Sequence, residues 1–348
     1  MGYQSDPRPL RPKPSITVAG GANVDISGTP ASVLIERDSN PGAVRVSCGG
    51  VGRNVAENLV RLDTSTELIT ALGDDMNGNL IRMHADRLGI SLKNSLTVAG
   101  ASTSSYLCIN NERGNMQLAI NDMTICAQLT PDYFAGLMPR INEGDLLLIE
   151  ANLPEETIVY LAEHATIPVL AEAVSVAKAV RLKRILPSLW LLKGNRLEME
   201  VLSGVAIVSP ADLDHAADIL LASGLKHLFV TLGDEGVYYA GQVETIDPQR
   251  KPAIERSQQQ TVNPHQGRRF VMPAIKPACL INTTGCGDAF LAAVAWGVSE
   301  HFDMEVNARL GLAAASICLE SPSAVSEQLT VDLLAARSGL SLAKEEKG

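Results

Sequence analysis

Three clusters of residues carry chemistry by type and spacing. The most specific is Asn282-Thr283-Thr284-Gly285-Cys286-Gly287-Asp288, which leads directly into an apolar helical pattern of Phe290, Leu291, Val294 and Val298. Gly285 and Gly287 permit a turn in which successive backbone N–H groups converge. At a helix N-terminus such a nest carries partial positive charge and favours an anion. Asp288 beside it is placed to take a proton from an attacking hydroxyl while the nest holds a transferring phosphoryl group. The same carboxylate also suits an ordinary helix cap. The second cluster is Asn23-Val24-Asp25. On an extended segment residues i and i+2 point the same way, so both polar side chains can face one ligand. A carboxylate that accepts from two adjacent hydroxyls suits a vicinal diol, and a turn-forming Asn/Asp pair is the competing reading. The third, Gly49-Gly50-Val51-Gly52-Arg53-Asn54, opens a helix. Its glycines let backbone approach a ligand, and Asn54 adds a donor and an acceptor. Val55 occupies the third-glycine position of a dinucleotide fingerprint, which argues against that reading. The chain has no GxxxxGK[ST], HRD or DFG motif, excluding a Walker-A site and a protein kinase.

The elements that position these clusters alternate. Apolar runs at 16–21, 67–73, 145–151, 167–173, 189–195 and 227–233 predict strands, and 51–62 and 80–88 carry helical spacing. From Cys286 to about Arg337 the pattern is nearly all helix. Strands separated by helices indicate βαβ crossovers and a parallel sheet, and ligands of such sheets collect at the carboxyl ends of the strands. Asn23 and Asp25 follow the first strand directly. Two stretches, 26–47 and 103–121, are β-like with turn residues and no helix beside them, which predicts a small β lid on the α/β core. The segment 241–276 is polar and Pro/Gln-rich and is expected to be a solvated loop or hairpin. Residues 1–15, rich in Pro and Arg without an apolar run, are expected to be a disordered lead-in and not a signal peptide. Residues 341–348 form a tail, and 16–340 one domain.

Of the 348 residues 46% are hydrophobic but only 4% aromatic, so the core must come from Val, Leu, Ile and Ala. That suits strands buried on both faces. The net charge of −10 argues against a nucleic-acid partner, which needs a basic face. The six cysteines show no CxxC pair and no His at ligand spacing, pointing to a reducing compartment, not to zinc or a disulfide framework. No apolar run approaches the roughly 20 residues that cross a bilayer. A soluble, cytoplasmic protein is expected.

The pair GGVGRNVA (49–56) and TTGCGDAF (283–290), in this order on an alternating core with β insertions, resembles the two signatures of the ribokinase-like (phosphofructokinase B) kinases. The resemblance extends from about Ile16 to Arg337. Further segments, SNPG (39–42), TSSYL (103–107), AINDM (119–123) and KGNRLE (193–198), are similar to the pseudouridine kinases of that family. The resemblance implies a three-layer α/β/α core with a mainly parallel sheet, plus a β-sheet lid. It implies ATP and Mg²⁺, and phosphorylation of the 5′-hydroxyl of pseudouridine. Another nucleoside or a ribose-like sugar is the alternative acceptor. A catalytically inactive regulator or scaffold is the alternative of another class, disfavoured because Asp288, Gly285 and Gly287 are all present.

Residue by residue, the resemblance makes Asp288 the base and the backbone of Gly285, Cys286 and Gly287 the anion hole. Asn23, Asp25, Gly50 and Asn54 hold the ribose hydroxyls, and Thr103, Ser104, Ser105, Asn121 and Asp122 face the base. Asn195 and Glu198 organise Mg²⁺ through water, while Thr231, Gly233 and Gly236 line the ATP site. Four positions depart from the family pattern. Cys286 replaces Ala, Glu150 and Glu172 stand where Asp is frequent, and Asn282 replaces the Asp of relatives that use a monovalent cation, leaving a K⁺ requirement open. In this family lid sheets often pair across a homodimer.

Overall fold

The structure, a computed structural model, describes residues 13–241 and 268–340. The expectations for 1–12, for 242–267 of the polar segment and for the tail at 341–348 lie outside the described residues. Strands in chain order are β1 (Ser15–Ala19), β2 (Asn23–Pro30), β3 (Gly42–Gly49), β4 (Ser65–Ile69), β5 (Ala71–Gly73), β6 (Leu96–Val98) and β7 (Ser105–Asn110). There follow β8 (Met116–Asp122), β9 (Leu146–Glu150), β10 (Val169–Glu172), β11 (Leu191–Asn195), β12 (His227–Thr231), β13 (Val237–Gly241) and β14 (Arg268–Met272).

The main sheet has the order β14-β13-β12-β11-β10-β9-β1-β4. It is parallel from β12 to β4, and β13 runs antiparallel to both of its neighbours. Strand alternation buries both faces. Val18, Leu148, Leu191 and Phe229 enter one apolar cluster, while Ala19, Leu147, Ile149, Leu192 and Leu228 enter the other. Helices cover each face, as parallel strands require. Among the described residues no helix is long and apolar enough to cross a membrane.

Of the two forms expected for the polar segment, loop or hairpin, the described residues show a strand pair: Arg268–Met272 runs antiparallel to β13 as the edge strand of the main sheet. Its composition hid a period of two. Phe270 turns inward and stacks on Tyr239 with centroids 4.8 Å apart, while Arg269 and Val271 face solvent.

The two β insertions form a four-stranded sheet of order β3-β2-β7-β8. It begins at Asn23, three residues earlier than the sequence pattern indicated, so it grows directly from the carboxyl end of β1. Register places Asp25 beside Ser47 and Tyr106, and Tyr106 beside Asn121, on one face. The other face carries Val44 (71% exposed), Val46 (56%), Leu118 (60%) and Ile120 (59%).

The helix Cys286–Ser299 is buried almost along its whole length. Phe290 anchors it to the sheet, edge-on to Phe229 at 5.4 Å. Gly311 of the adjacent helix Met304–Leu319 leaves room for that ring, since a Cβ there would lie 2.6 Å from it. Phe290→Ala should therefore cost about 3–5 kcal/mol, as core Phe truncations do. A lowered urea midpoint checks this.

Candidate active site

The late signature folds as a turn ending in a left-handed residue. Gly285 has φ 84°, and a Cβ there would come 1.9 Å from the Ala324 carbonyl oxygen. No other residue type fits. The Asn282 carboxamide oxygen accepts from Thr284 N at 3.0 Å and steadies the entry to the turn. Cys286, Gly287 and Asp288 then form the first turn of the helix Cys286–Ser299, with their early N–H groups free of intrahelical partners.

Asp288 is buried, and Asn54 Nδ2 donates to its Oδ2 at 2.8 Å. Asn54 is itself oriented. Its Oδ1 accepts from Arg53 at 2.6 Å, so its amide hydrogens must turn to Asp288. Arg53 is buried and donates also to the Gly49 carbonyl (3.1 Å) and to Glu57 (2.6 Å), which Arg61 holds from its other side. Burial pushes the Asp288 carboxyl up to about 6, with Asn54, Lys193 and Arg53 restraining the rise.

The early signature approaches β1 and β2 through its glycines. Gly50 has φ 97°, and a Cβ there would meet the Gly21 carbonyl oxygen at 2.6 Å. A Cβ at Gly49 would lie 2.0 Å from Asp25 Oδ2, so the carboxylate rests on bare backbone. Asn23 Nδ2 donates to Asp25 Oδ1 at 2.6 Å. Burial raises the Asp25 pKa, opposed by the Asn23 bond and by Arg53. Asn23, Asp25, Gly50, Asn54 and Asp288 thus form one connected wall.

A buried ion pair was not singled out from the sequence. Lys193 Nζ bonds Glu172 Oε1 at 2.9 Å, and a Cβ at Gly287 would come 2.6 Å from that ammonium. Lys193 therefore stands against the first turn of the helix Cys286–Ser299. Burial pushes the Glu172 carboxyl up, with Lys193 opposing and Asp288 and Glu198 adding to the rise. Burial would lower the Lys193 pKa, but Glu172 outweighs it and holds the ammonium above its ordinary value. Lys193 lies two residues before Asn195, and Arg53 and Glu57 stand four apart on one helix. Those spacings were the available signals.

Asn195 and Glu198 form a reciprocal capping box at the helix Arg196–Ser203, with Glu198 oxygens accepting from Asn195 N at 2.8 Å and Nδ2 at 2.9 Å. Asn195 is in register with Thr231, whose hydroxyl donates to the Gly194 carbonyl at 3.3 Å. Gly233 (φ 66°) and Gly236 (φ 108°) shape the loop that follows. Glu150 takes no part in this network. It accepts from Gly21 N and from Asn152 N (2.8 Å) and so ties the end of β9 to the turn after β1.

The small sheet brings some of its candidates to the site and not others. Asn121 shares a face with Asp25 and Tyr106. Ser105 lies in the row of Val24, on the opposite face, because side chains alternate along the strand. Thr103 is buried and bonded to Asp75, which caps the helix Met76–Leu88. Ser104 is buried, its carbonyl accepting from Val24 N at 3.0 Å. Asp122 accepts from Thr124 N and Oγ1 at 3.0 and 2.6 Å, a local turn.

A profile of the pfkB family carbohydrate kinases matches residues 13–330. The chain belongs to the pfkB family. It is a phosphotransferase with an alcohol acceptor, among the carbohydrate and nucleoside kinases. Pseudouridine kinase of Escherichia coli (strain K12) is 32% identical over 287 residues, which cover 82% of this chain and 84% of that protein. An uncharacterized sugar kinase of the same strain, YeiI, is 32% identical over 317 residues, covering 90% and 81%. The structure of Arabidopsis thaliana ribokinase complexed with ribose and ATP superposes with a TM-score of 0.79 at 20% identity, covering 95% of this chain and 100% of that one.

The Lys193 charge lowers the Asp288 pKa, so removing it must raise that pKa. Lys193→Met should move the acid limb of the kcat/KM–pH profile, expected near the Asp288 value of about 6, to higher pH. An unmoved limb in a folded, slower variant would leave Lys193 a packing role only.

Proposed function

We propose that this kinase transfers the γ-phosphoryl group of ATP to the 5′-hydroxyl of pseudouridine. The observation that carries the reading is the buried Asp288 carboxylate, aimed by Asn54 at 2.8 Å and set in the first turn of the helix behind Gly285. A carboxylate with its pKa near 6 is ionised at neutral pH yet basic enough to accept a proton. Asp288 takes the 5′-hydroxyl proton as that oxygen attacks the γ-phosphorus, the bond to the β-phosphate oxygen breaks, and ADP leaves. The backbone N–H groups of Gly285, Cys286 and Gly287, with the Lys193 ammonium behind them, stabilise the charge on the transferring group. Asn23 and Asp25 hold the ribose diol, and Asn121 with Tyr106 faces the base. Thr231, Gly233 and Gly236 line the nucleotide.

The residues present also fit Mg²⁺ held through water by Asn195 and Glu198. Glu172 Oε2 is buried without a hydrogen-bond partner, a ready acceptor for a metal-bound water. The ion would neutralise phosphate charge.

Support for the nucleoside is the pseudouridine kinase relative, weighed against an equally identical sugar kinase. ADP release across pseudouridine, uridine, adenosine, ribose and fructose decides between them. Highest kcat/KM with pseudouridine is expected, and a preference for ribose or fructose would overturn the assignment. Asp288→Asn should lower kcat by roughly 10²–10⁴-fold with little change in KM, and a folded variant with normal turnover would remove Asp288 from the mechanism.

In the same reading the small sheet is a lid over the acceptor. Its outer face, with Val44, Val46, Leu118 and Ile120 exposed, pairs with the same face of a second chain, an isologous contact that covers both patches. Ile120→Lys should shift a dimer to monomer by light scattering.

A further inference from the structure

The helix Val51–Arg61 opens with a charge that its own dipole disfavours. Arg53 lies in the first turn, where a cation is unfavourable. It also precedes Glu57 by one helical turn, the weaker order for a helical ion pair. The two side chains are only 4% and 6% exposed, so desolvation offsets much of their attraction. Helix stability does not account for the pair. Its bonds lead to the site instead, since every nitrogen of the Arg53 guanidinium has an acceptor. Nε donates to the Gly49 carbonyl, Nη1 to Glu57 and Nη2 to Asn54 Oδ1.

Glu57 is in turn held from behind. Its Oε2 accepts from Arg53 at 2.6 Å, and its Oε1 accepts from Arg61 Nε at 3.1 Å and Nη2 at 2.8 Å. Arg61 Nη1 donates to the Glu327 carbonyl at 3.0 Å. Glu327 lies between the helices Met304–Leu319 and Val331–Ser338, in the same segment as Ala324, whose carbonyl oxygen allows no side chain at Gly285. A continuous chain of bonds thus runs from Asp288 through Asn54, Arg53, Glu57 and Arg61 to the segment that walls the turn before Asp288.

We propose that Glu57 is a positioning residue of the phosphoryl transfer: anchored by Arg61, it fixes the Arg53 fork that presents the Asn54 amide to Asp288. Burial would raise the Glu57 pKa, but Arg53 and Arg61 outweigh it and hold the carboxyl below its ordinary value. A carboxylate accepts at both oxygens, whereas a carboxamide of the same shape accepts at one end and donates at the other. Glu57→Gln therefore turns N–H groups toward one of the two guanidinium groups. Either the hold on Arg53 or its anchor is lost. With the fork loosened, the Asn54 amide can turn, and its oxygen then opposes the Asp288 carboxylate. The kinetic consequence rests on the proposed role of Asp288 as base.

Full-length Glu57→Gln, Asn54→Ala and the double variant are compared with wild type by ADP release, using the best acceptor of the substrate panel. Urea midpoints establish that each is folded. Glu57→Gln should lower kcat roughly 10- to 100-fold, the range for one lost hydrogen bond to a charged group, with KM for ATP unchanged. In the Asn54→Ala background the same substitution should change kcat by less than about twofold, because Glu57 acts through Asn54. Independent effects would multiply to within about twofold. If Glu57→Gln does not fold, Arg53→Lys tests the same link. It keeps a charge beside Glu57 without the fork that reaches several acceptors, and should show the same fall and the same non-additivity. Losses that multiply in the double variant, or normal turnover of folded Glu57→Gln, overturn the proposal. Asp288→Asn separates this failure from failure of the base. Normal turnover there removes the base and the positioning role together, whereas a slow Asp288→Asn beside multiplying losses removes Glu57 alone.

Discussion

The hydrogen bond from Asn54 to Asp288 joins residues 234 apart and holds the two signatures of this chain against each other. Everything at the site is arranged so that this bond forms in one orientation. Arg53 occupies the Asn54 oxygen, Glu57 and the Gly49 carbonyl hold Arg53, and the amide nitrogen is left to face the carboxylate. On the other side, Phe290 and Gly311 set the depth of the helix that carries Asp288. A shift of either helix would leave a buried carboxylate unpaired, a heavy cost in a low-dielectric interior.

Burial of charge is the second constraint. Asp288, Glu172, Glu198, Lys193, Arg53 and Glu57 are all buried polar groups near the carboxyl edge of the sheet. Buried ion pairs add little stability, because desolvation offsets their attraction. Their value here is directional. Lys193 is fixed against Gly287 by Glu172, and the strand register that brings Lys193 there also brings Asn195 beside Thr231. A cation placed in advance stabilises developing charge without reorganising during the reaction.

The small sheet illustrates how one segment serves two ends. Period-two alternation sends Asp25, Tyr106 and Asn121 to one face and Val46, Leu107 and Ile120 to the other. The polar face carries Asp25 of the candidate site, and Val46, Leu107 and Ile120 on the other face remain exposed. A slip of one residue would exchange the two.

The sequence by itself determined the alternating core, the strands from 16–21 to 227–233, the glycine turn at Gly285 and the candidate base. Those features are local, set by apolar periodicity and by the chemistry of glycine before a helix. It concealed β14, because Arg268 and Arg269 mask the inward Phe270, which is recognisable only against Tyr239. The family resemblance grouped Thr103, Ser104, Ser105, Asn121 and Asp122 as one base-contacting set, whereas pairing register and the bonds to Asp75 and Thr124 give them different surroundings. The places of Lys193 and Arg53 were decided by tertiary structure alone. Each depends on which strand or helix lies beside another, and a buried charge acquires its character from groups distant in the chain.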